Sequence, residues 1–163
     1  MDVFDEELLR FWKMANQFNL KYIMIGGVAT NLHGFQRTTE DIDLWIQDNK
    51  PNKTILKEVF REYGMGDFKT LPEMEFIPGW TYFHLDNGLR LDIMTSVKGL
   101  ANSEFDSLLK SASVATIYGV EIPFLHLNAL ILTKKAANRP KDLLDLIELE
   151  KIKKIIEEEG TNQ

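Results

Sequence analysis

The sequence predicts an α/β fold. Three observations carry that expectation: short apolar runs at 22–25, 41–46 and 89–94 end at turn residues, stretches with helical spacing separate and flank them, and the order strand–helix–strand recurs. At 163 residues the chain has the size of one domain and can bury roughly two-thirds of the surface its unfolded form exposes. The expected organisation is a single domain over 1–163, with a core over about 20–125 and C-terminal helices over about 126–160.

A leading helix is expected over 5–18, where Leu8, Leu9, Phe11, Trp12, Ala15 and Phe18 recur at helical spacing and Asp5 and Glu6 suit a helix N-terminus. The aromatic set Phe4, Phe11, Trp12 and Phe18 reads as packing. Tyr22-Ile23-Met24-Ile25 reads as a buried strand stopped by Gly26-Gly27, followed by a short helix over 28–34. Alternation in Asp41-Ile42-Asp43-Leu44-Trp45-Ile46 puts Ile42, Leu44 and Ile46 on one face and both aspartates on the other, a half-buried strand with an acidic outer face. Pro51 stands in the first turn of a helix that runs from Lys53 to Tyr63 and is closed by Gly64 and Gly66. The segments 81–85 and 89–94 flank Asp86-Asn87-Gly88, a hairpin signal, and Asp92 shares the polar side of the second strand with Arg90 and Met94. A helix near 103–112, a hairpin around Tyr118-Gly119, and helices over 128–137 and 141–158 complete the chain.

Composition narrows the function classes. Hydrophobic residues make up 44% and charged residues 27%, as in soluble globular proteins, and no apolar run is long enough to span a bilayer. No membrane partner is expected. The acidic Met1–Glu7 stretch is unlike a secretory signal, which places the protein in the cytoplasm. With no cysteine there is no thiolate site, and carboxylates are the obvious metal ligands. A net charge of −6 argues against nonspecific coating of nucleic acid. Lys134, Lys135, Arg139 and Lys141 still form a local basic cluster, either a solvated helix face or part of a binding site. Neither a Walker A loop nor a dinucleotide-type glycine motif is present.

The informative unit is a strand ending in Gly26-Gly27, a short helix, and Asp41-Ile42-Asp43 on the next strand. Glycines permit close backbone approach, and helix N-terminal amides hold phosphate oxygens. Carboxylates at i and i+2 on a strand project from one face and can share a hard cation, with Asp92 as the third member from another strand. Like charges at such spacing repel by roughly 4 kcal/mol per pair at 4 Å and an effective dielectric of 20, so the cluster calls for a cation. Two Mg²⁺ ions, or Mn²⁺ in their place, are the expected cofactor, because a two-metal site stabilises both the attacking and the leaving oxygen of an in-line displacement at phosphorus. The alternative for the three aspartates is plain solvation of an outer sheet face.

Gly26-Gly27 through Asp43, with Asp92 downstream, resembles the nucleotidyltransferase superfamily related to DNA polymerase β: a glycine pair, a spacer supplied here by residues 28 to 40, an aspartate, a hydrophobic residue, a second acidic residue, and a later acidic residue on a strand. Arg37-Thr38-Thr39-Glu40-Asp41-Ile42-Asp43-Leu44 and Lys134 with Arg139-Pro140-Lys141-Asp142-Leu143-Leu144-Asp145-Leu146 are similar to small bacterial antibiotic nucleotidyltransferases and to AbiEii-type toxins. The resemblance implies a mixed sheet flanked by helices, with further helices at the C-terminus. It also implies Asp41, Asp43 and Asp92 as catalytic metal ligands, with Asp92 either bridging the catalytic metal or accepting the proton of the attacking hydroxyl, Gly26 and Gly27 as the triphosphate cradle, and Lys134, Arg139 and Lys141 as neutralising charges, with Arg37 also on the nucleotide. Gly27 stands where the family often has serine, and Thr30 is the candidate replacement hydroxyl. Asp142 either orients Arg139 or Lys134 or serves as a charge at a helix start.

The implied partners are an NTP and an acceptor, either a small molecule, a tRNA or a protein, transferring NMP and releasing pyrophosphate. The rival reading is a noncatalytic nucleotide-binding or regulatory module with a protein partner, such as a toxin–antitoxin component. His33, His84 and His126 share no ligand spacing and are expected to be packed or surface residues. Trp80 is a candidate base-stacking residue, whereas Tyr82 is expected in the core.

Overall fold

The computed structural model describes residues 5–161. Six helices and six strands occur among them: α1 (Glu6–Gln17), β1 (Tyr22–Ile25), α2 (Gly26–Leu32), β2 (Asp41–Ile46), α3 (Lys50–Tyr63), β3 (Tyr82–His84), β4 (Arg90–Met94), α4 (Phe105–Lys110), β5 (Ser113–Ile117), β6 (Val120–Phe124), α5 (Leu127–Ala137) and α6 (Pro140–Thr161). Phe4 lies outside the described residues.

The strands form one mixed sheet in the order β3-β4-β2-β1-β6-β5. β2 runs parallel to β4 and β1 parallel to β6, while β1–β2, β3–β4 and β5–β6 are antiparallel. This is the α/β, mixed-sheet class that the sequence predicts. The parallel β2–β4 pair requires a crossover, which α3 supplies.

Local chemistry sets the element ends. Asp5 caps α1 by accepting from the amides of Glu7 and Leu8, at 3.0 and 3.2 Å. Asn49 caps α3 through the Asn52 amide, and Gly64, at φ +100°, closes it. Buried Asn52 then ties α3 to the sheet: its side chain bonds the backbone of Lys21 at both amide and carbonyl, and the carbonyl of Gln47. Leu8, Phe11, Trp12 and Ala15 of α1 pack into the same core as Leu56, Val59, Phe60 and Tyr63 of α3.

The structure revises several expectations. α2 begins at Gly26 rather than 28, because Gly26 adopts φ +66° and turns the chain directly from strand into helix. The helix expected near 103–112 divides into a 3-10 turn, Asn102–Glu104, and α4. Trp45 is buried on the outer face of β2 because α4 brings Phe105 onto it edge-on at 4.9 Å. Phe18 is exposed beyond the end of α1, and Tyr82 is exposed rather than core, since the edge strand β3 leaves that side uncovered. No helix among the described residues is long and apolar enough to cross a membrane.

Candidate active site

The register of β2 on β4 builds the site. Asp43 lies opposite Asp92 and Asp41 opposite Arg90, so the parallel ladder sets Asp41, Asp43, Arg90 and Asp92 on one face as a two-by-two patch. β3 extends it, with Tyr82 opposite Asp92 and His84 opposite Arg90. Alternation on β2 and β4 sends Ile42, Leu44, Leu91 and Ile93 into the core behind this patch. The carboxylates are thereby fixed to the most regular part of the molecule.

Gly26 brings the end of β1 against this patch. A Cβ at Gly26 would fall 2.1 Å from the Oδ2 of Asp43, and its positive φ would strain any residue with a Cβ. At Gly27 a Cβ would meet the Thr39 hydroxyl at 2.6 Å and the Arg37 guanidinium at 3.1 Å. A serine at this position would force Thr39 to shift. Thr30 does not replace it: its buried hydroxyl donates to the Gly26 carbonyl at 3.0 Å and lies inside α2. Thr39, which the sequence reading passed over, is the hydroxyl beside Gly27, with its Oγ1 bonded to the Asp41 carbonyl at 3.2 Å.

A cleft of about 970 Å³ opens over these residues, lined by Gly26, Gly27, Arg37, Asp41, Asp43 and Asp92 on the sheet side and by Lys134, Arg139, Lys141 and Asp142 on the helical side. It gathers every predicted site residue except Thr30. A groove of about 1130 Å³ between α1 and the β5–β6 hairpin carries none of them.

The basic cluster divides in two. Lys135 is a surface residue paired with Glu150, and Lys141 is exposed at the cleft. Lys134 is 4% exposed and reaches Asp145 at 2.9 Å and Asp142 at 3.6 Å, both carboxylates fully buried. Arg37 closes on Asp145 from the other side at 2.8 Å, and Arg139 holds Asp142 at 2.7 and 3.2 Å while its own amide donates to the same carboxylate. Burial raises the Asp142 pKa, but the Arg139 hydrogen bonds outweigh it and hold the group below the usual carboxylate range. Asp142 thus orients both Arg139 and Lys134. Asp145, to which the sequence motifs assign no role, is the shared partner of Arg37 and Lys134. Its trace was visible in the helical spacing of Asp142, Asp145 and Leu149, which places two acids on the buried stripe of α6.

Asp43 records the electrostatic state of the patch. Its pKa is pushed up to about 6, first by burial and then by the charges of Asp92 and Asp41, with Lys134 and Lys141 opposing. Three hard oxygen donors on one face with a destabilised negative charge fit a divalent cation. In the resting arrangement no group of three acids or histidines is gathered in metal-holding geometry among the described residues. Asp92 is paired: Arg90 Nε approaches both carboxylate oxygens, at 3.2 and 3.1 Å, and an Arg90 terminal nitrogen reaches Oδ1 at 2.9 Å.

The histidines are packed or lie at the surface. His33 bonds the Leu125 carbonyl at 2.8 Å, His126 caps α5, and His84 packs edge-on against Tyr82. Trp80 is 80% exposed and does not line the cleft.

Residues 5–162 match the family described as "Nucleotidyl transferase of unknown function (DUF2204)". Among solved structures, the lincosamide antibiotic adenylyltransferase LnuA in its lincomycin-bound form is 17% identical at a TM-score of 0.58, over 91% of this chain and 97% of that one. An antigenic nucleotidyltransferase-like protein from Paracoccidioides brasiliensis is 18% identical at 0.53, over 86% and 72%. The enzyme ANT(2'')-Ia in complex with adenylyl-2''-tobramycin is 20% identical at 0.51, over 88% and 89%. At such identities the likeness is one of fold. No curated protein matches the sequence.

Proposed function

The chain belongs to this nucleotidyl transferase family and is an enzyme of that class, and from this premise we propose that it moves a nucleoside monophosphate from an NTP to an acceptor hydroxyl or phosphate with divalent metal, Mg²⁺ first, releasing pyrophosphate in the cytoplasm. The observation that carries the reading is the patch of Asp41, Asp43 and Asp92 at the glycine turn, facing Arg139 and Lys141 across one cleft.

The chain's own groups divide the work. Asp41, Asp43 and Asp92 are the residues that would hold the metal, which would supply positive charge to stabilise the displacement at phosphorus. Gly26 and Gly27, bare of side chains, let the triphosphate approach the backbone amides. Arg139 and Lys141 neutralise phosphate charge, and Lys134 acts through Asp142 and Asp145, holding the helical wall in place. In the transfer, the acceptor oxygen bonds the α-phosphorus as the bond to the bridging oxygen breaks. Pyrophosphate leaves with that electron pair, and the acceptor proton passes to a site carboxylate, for which Asp92 is the candidate. LnuA with lincomycin and ANT(2'')-Ia with adenylyl-2''-tobramycin support testing a small hydroxyl-bearing acceptor before a tRNA or a protein.

A second reading, a noncatalytic nucleotide-binding module with a protein partner of the toxin–antitoxin kind, draws on the exposed apolar residues Leu143, Leu144, Ile147, Ile155 and Ile156 along α6. Isothermal titration of ATP, GTP, CTP and UTP with Mg²⁺ against the wild type and Asp41→Ala/Asp43→Ala tests the site. Saturable, metal-dependent binding that the double variant loses is expected; no binding of any nucleotide sinks the assignment. Pyrophosphate release on adding acceptors separates the enzyme from the module.

A further inference from the structure

We propose that Arg90 is a resident counter-cation for Asp92, occupying the carboxylate until a metal ion displaces it, and so a positioning residue that sets the metal affinity of the site. The inference rests on the metal-dependent reading above. Its observations are geometric. The guanidinium engages both oxygens of Asp92, at 2.9 to 3.2 Å, so a metal ion must compete with a cation already held at that carboxylate. Arg90 also lies opposite Asp41 in the β2–β4 register, which makes it the cation embedded in a face of three aspartates. Without it, Asp92, buried beside Asp43 and Asp41, would lose its direct cationic partner in the metal-free protein.

The pair is also built to open. Asp92 has a side chain only 10% exposed and is fixed in the sheet, whereas that of Arg90 is 35% exposed. Its Cζ lies 3.9 Å from the centre of the Tyr82 ring, which retains the guanidinium by a cation–π contact that does not depend on Asp92. Exchange of Arg90 for a metal therefore costs one partly exposed ion pair and not a buried one, a modest penalty that a divalent cation exceeds. A fork is required for this role: two parallel N–H bonds cover both oxygens, whereas a lysine ammonium covers one at a time.

The test measures binding of Mn²⁺ alone by isothermal titration to the full chain, as wild type, Arg90→Lys and Arg90→Met, each checked for unchanged circular dichroism. Arg90→Lys keeps the charge and loses the fork, and is expected to bind Mn²⁺ about two- to fivefold more tightly, with Arg90→Met at least as tight. In an Asp92→Asn background, Arg90→Lys is expected to change nothing. The Arg90 Nε–H resonance of the wild type is expected to shift on addition of Mg²⁺. Equal or weaker Mn²⁺ binding by both variants, alongside clear wild-type binding, overturns the role of Arg90 and leaves the metal site standing. Mn²⁺ binding by none of the three proteins overturns both.

Discussion

Asp43 concentrates the chemistry of the site at a single residue. It lies between Asp41 and Asp92, touches the space left by Gly26, and has its pKa pushed from 3.8 up to about 6. The folded chain therefore holds this proton more tightly than the unfolded chain, and stability is lost as pH rises from about 4 through about 6. Asp43→Asn removes the charge but keeps the shape. It is expected to melt roughly 3–6 °C above the wild type at pH 7.5 in chelator, a gain of about 1–2 kcal/mol, and to show no gain at pH 4. Mg²⁺ is expected to narrow the gap by stabilising only the wild type. Equal melting temperatures at both pH values contradict this account.

At the scale of elements, α5 and α6 are joined by buried charge. Lys134 on α5 stands between Asp142 and Asp145 of α6, and Arg37, from the segment between α2 and β2, completes the clamp. The groups are desolvated, so the pair adds little net stability while intact and costs much when one side is removed. Lys134→Met is expected to destabilise the fold by about 3–5 kcal/mol in denaturant titration, because two buried carboxylates lose a shared cation. Lys135→Met, on the neighbouring surface pair with Glu150, is expected to cost about 0–1 kcal/mol. Similar losses for the two variants remove the case for a buried clamp.

For the whole molecule, one sheet runs from β3 to β5, and the helices α1, α3, α5 and α6 contribute to one continuous core. The C-terminal helices pack onto this core, with Leu149 of α6 buried in it and Asp145 paired with Arg37. Calorimetry is expected to give a single transition with calorimetric and van't Hoff enthalpies in agreement, and two resolved transitions would show an independent helical unit. The strands, the helices and the three aspartates were legible in the sequence because periodicity two, periodicity 3.6 and glycine turns are properties of neighbours along the chain. Strand alternation alone placed Asp41, Asp43 and Asp92 on polar faces. What joined those faces was the parallel register of β2 on β4, a pairing separated by α3 and a hairpin. Distance along the chain also hid the partner of Asp145, since Arg37 lies 108 residues away, whereas Arg90 and Asp92 share a strand face that alternation already indicates. Sequence by itself determined which groups are candidates for the chemistry; only the tertiary structure decided which of them are buried, which are paired and which face the cleft, because desolvation and ion pairing depend on neighbours that the chain brings together by folding.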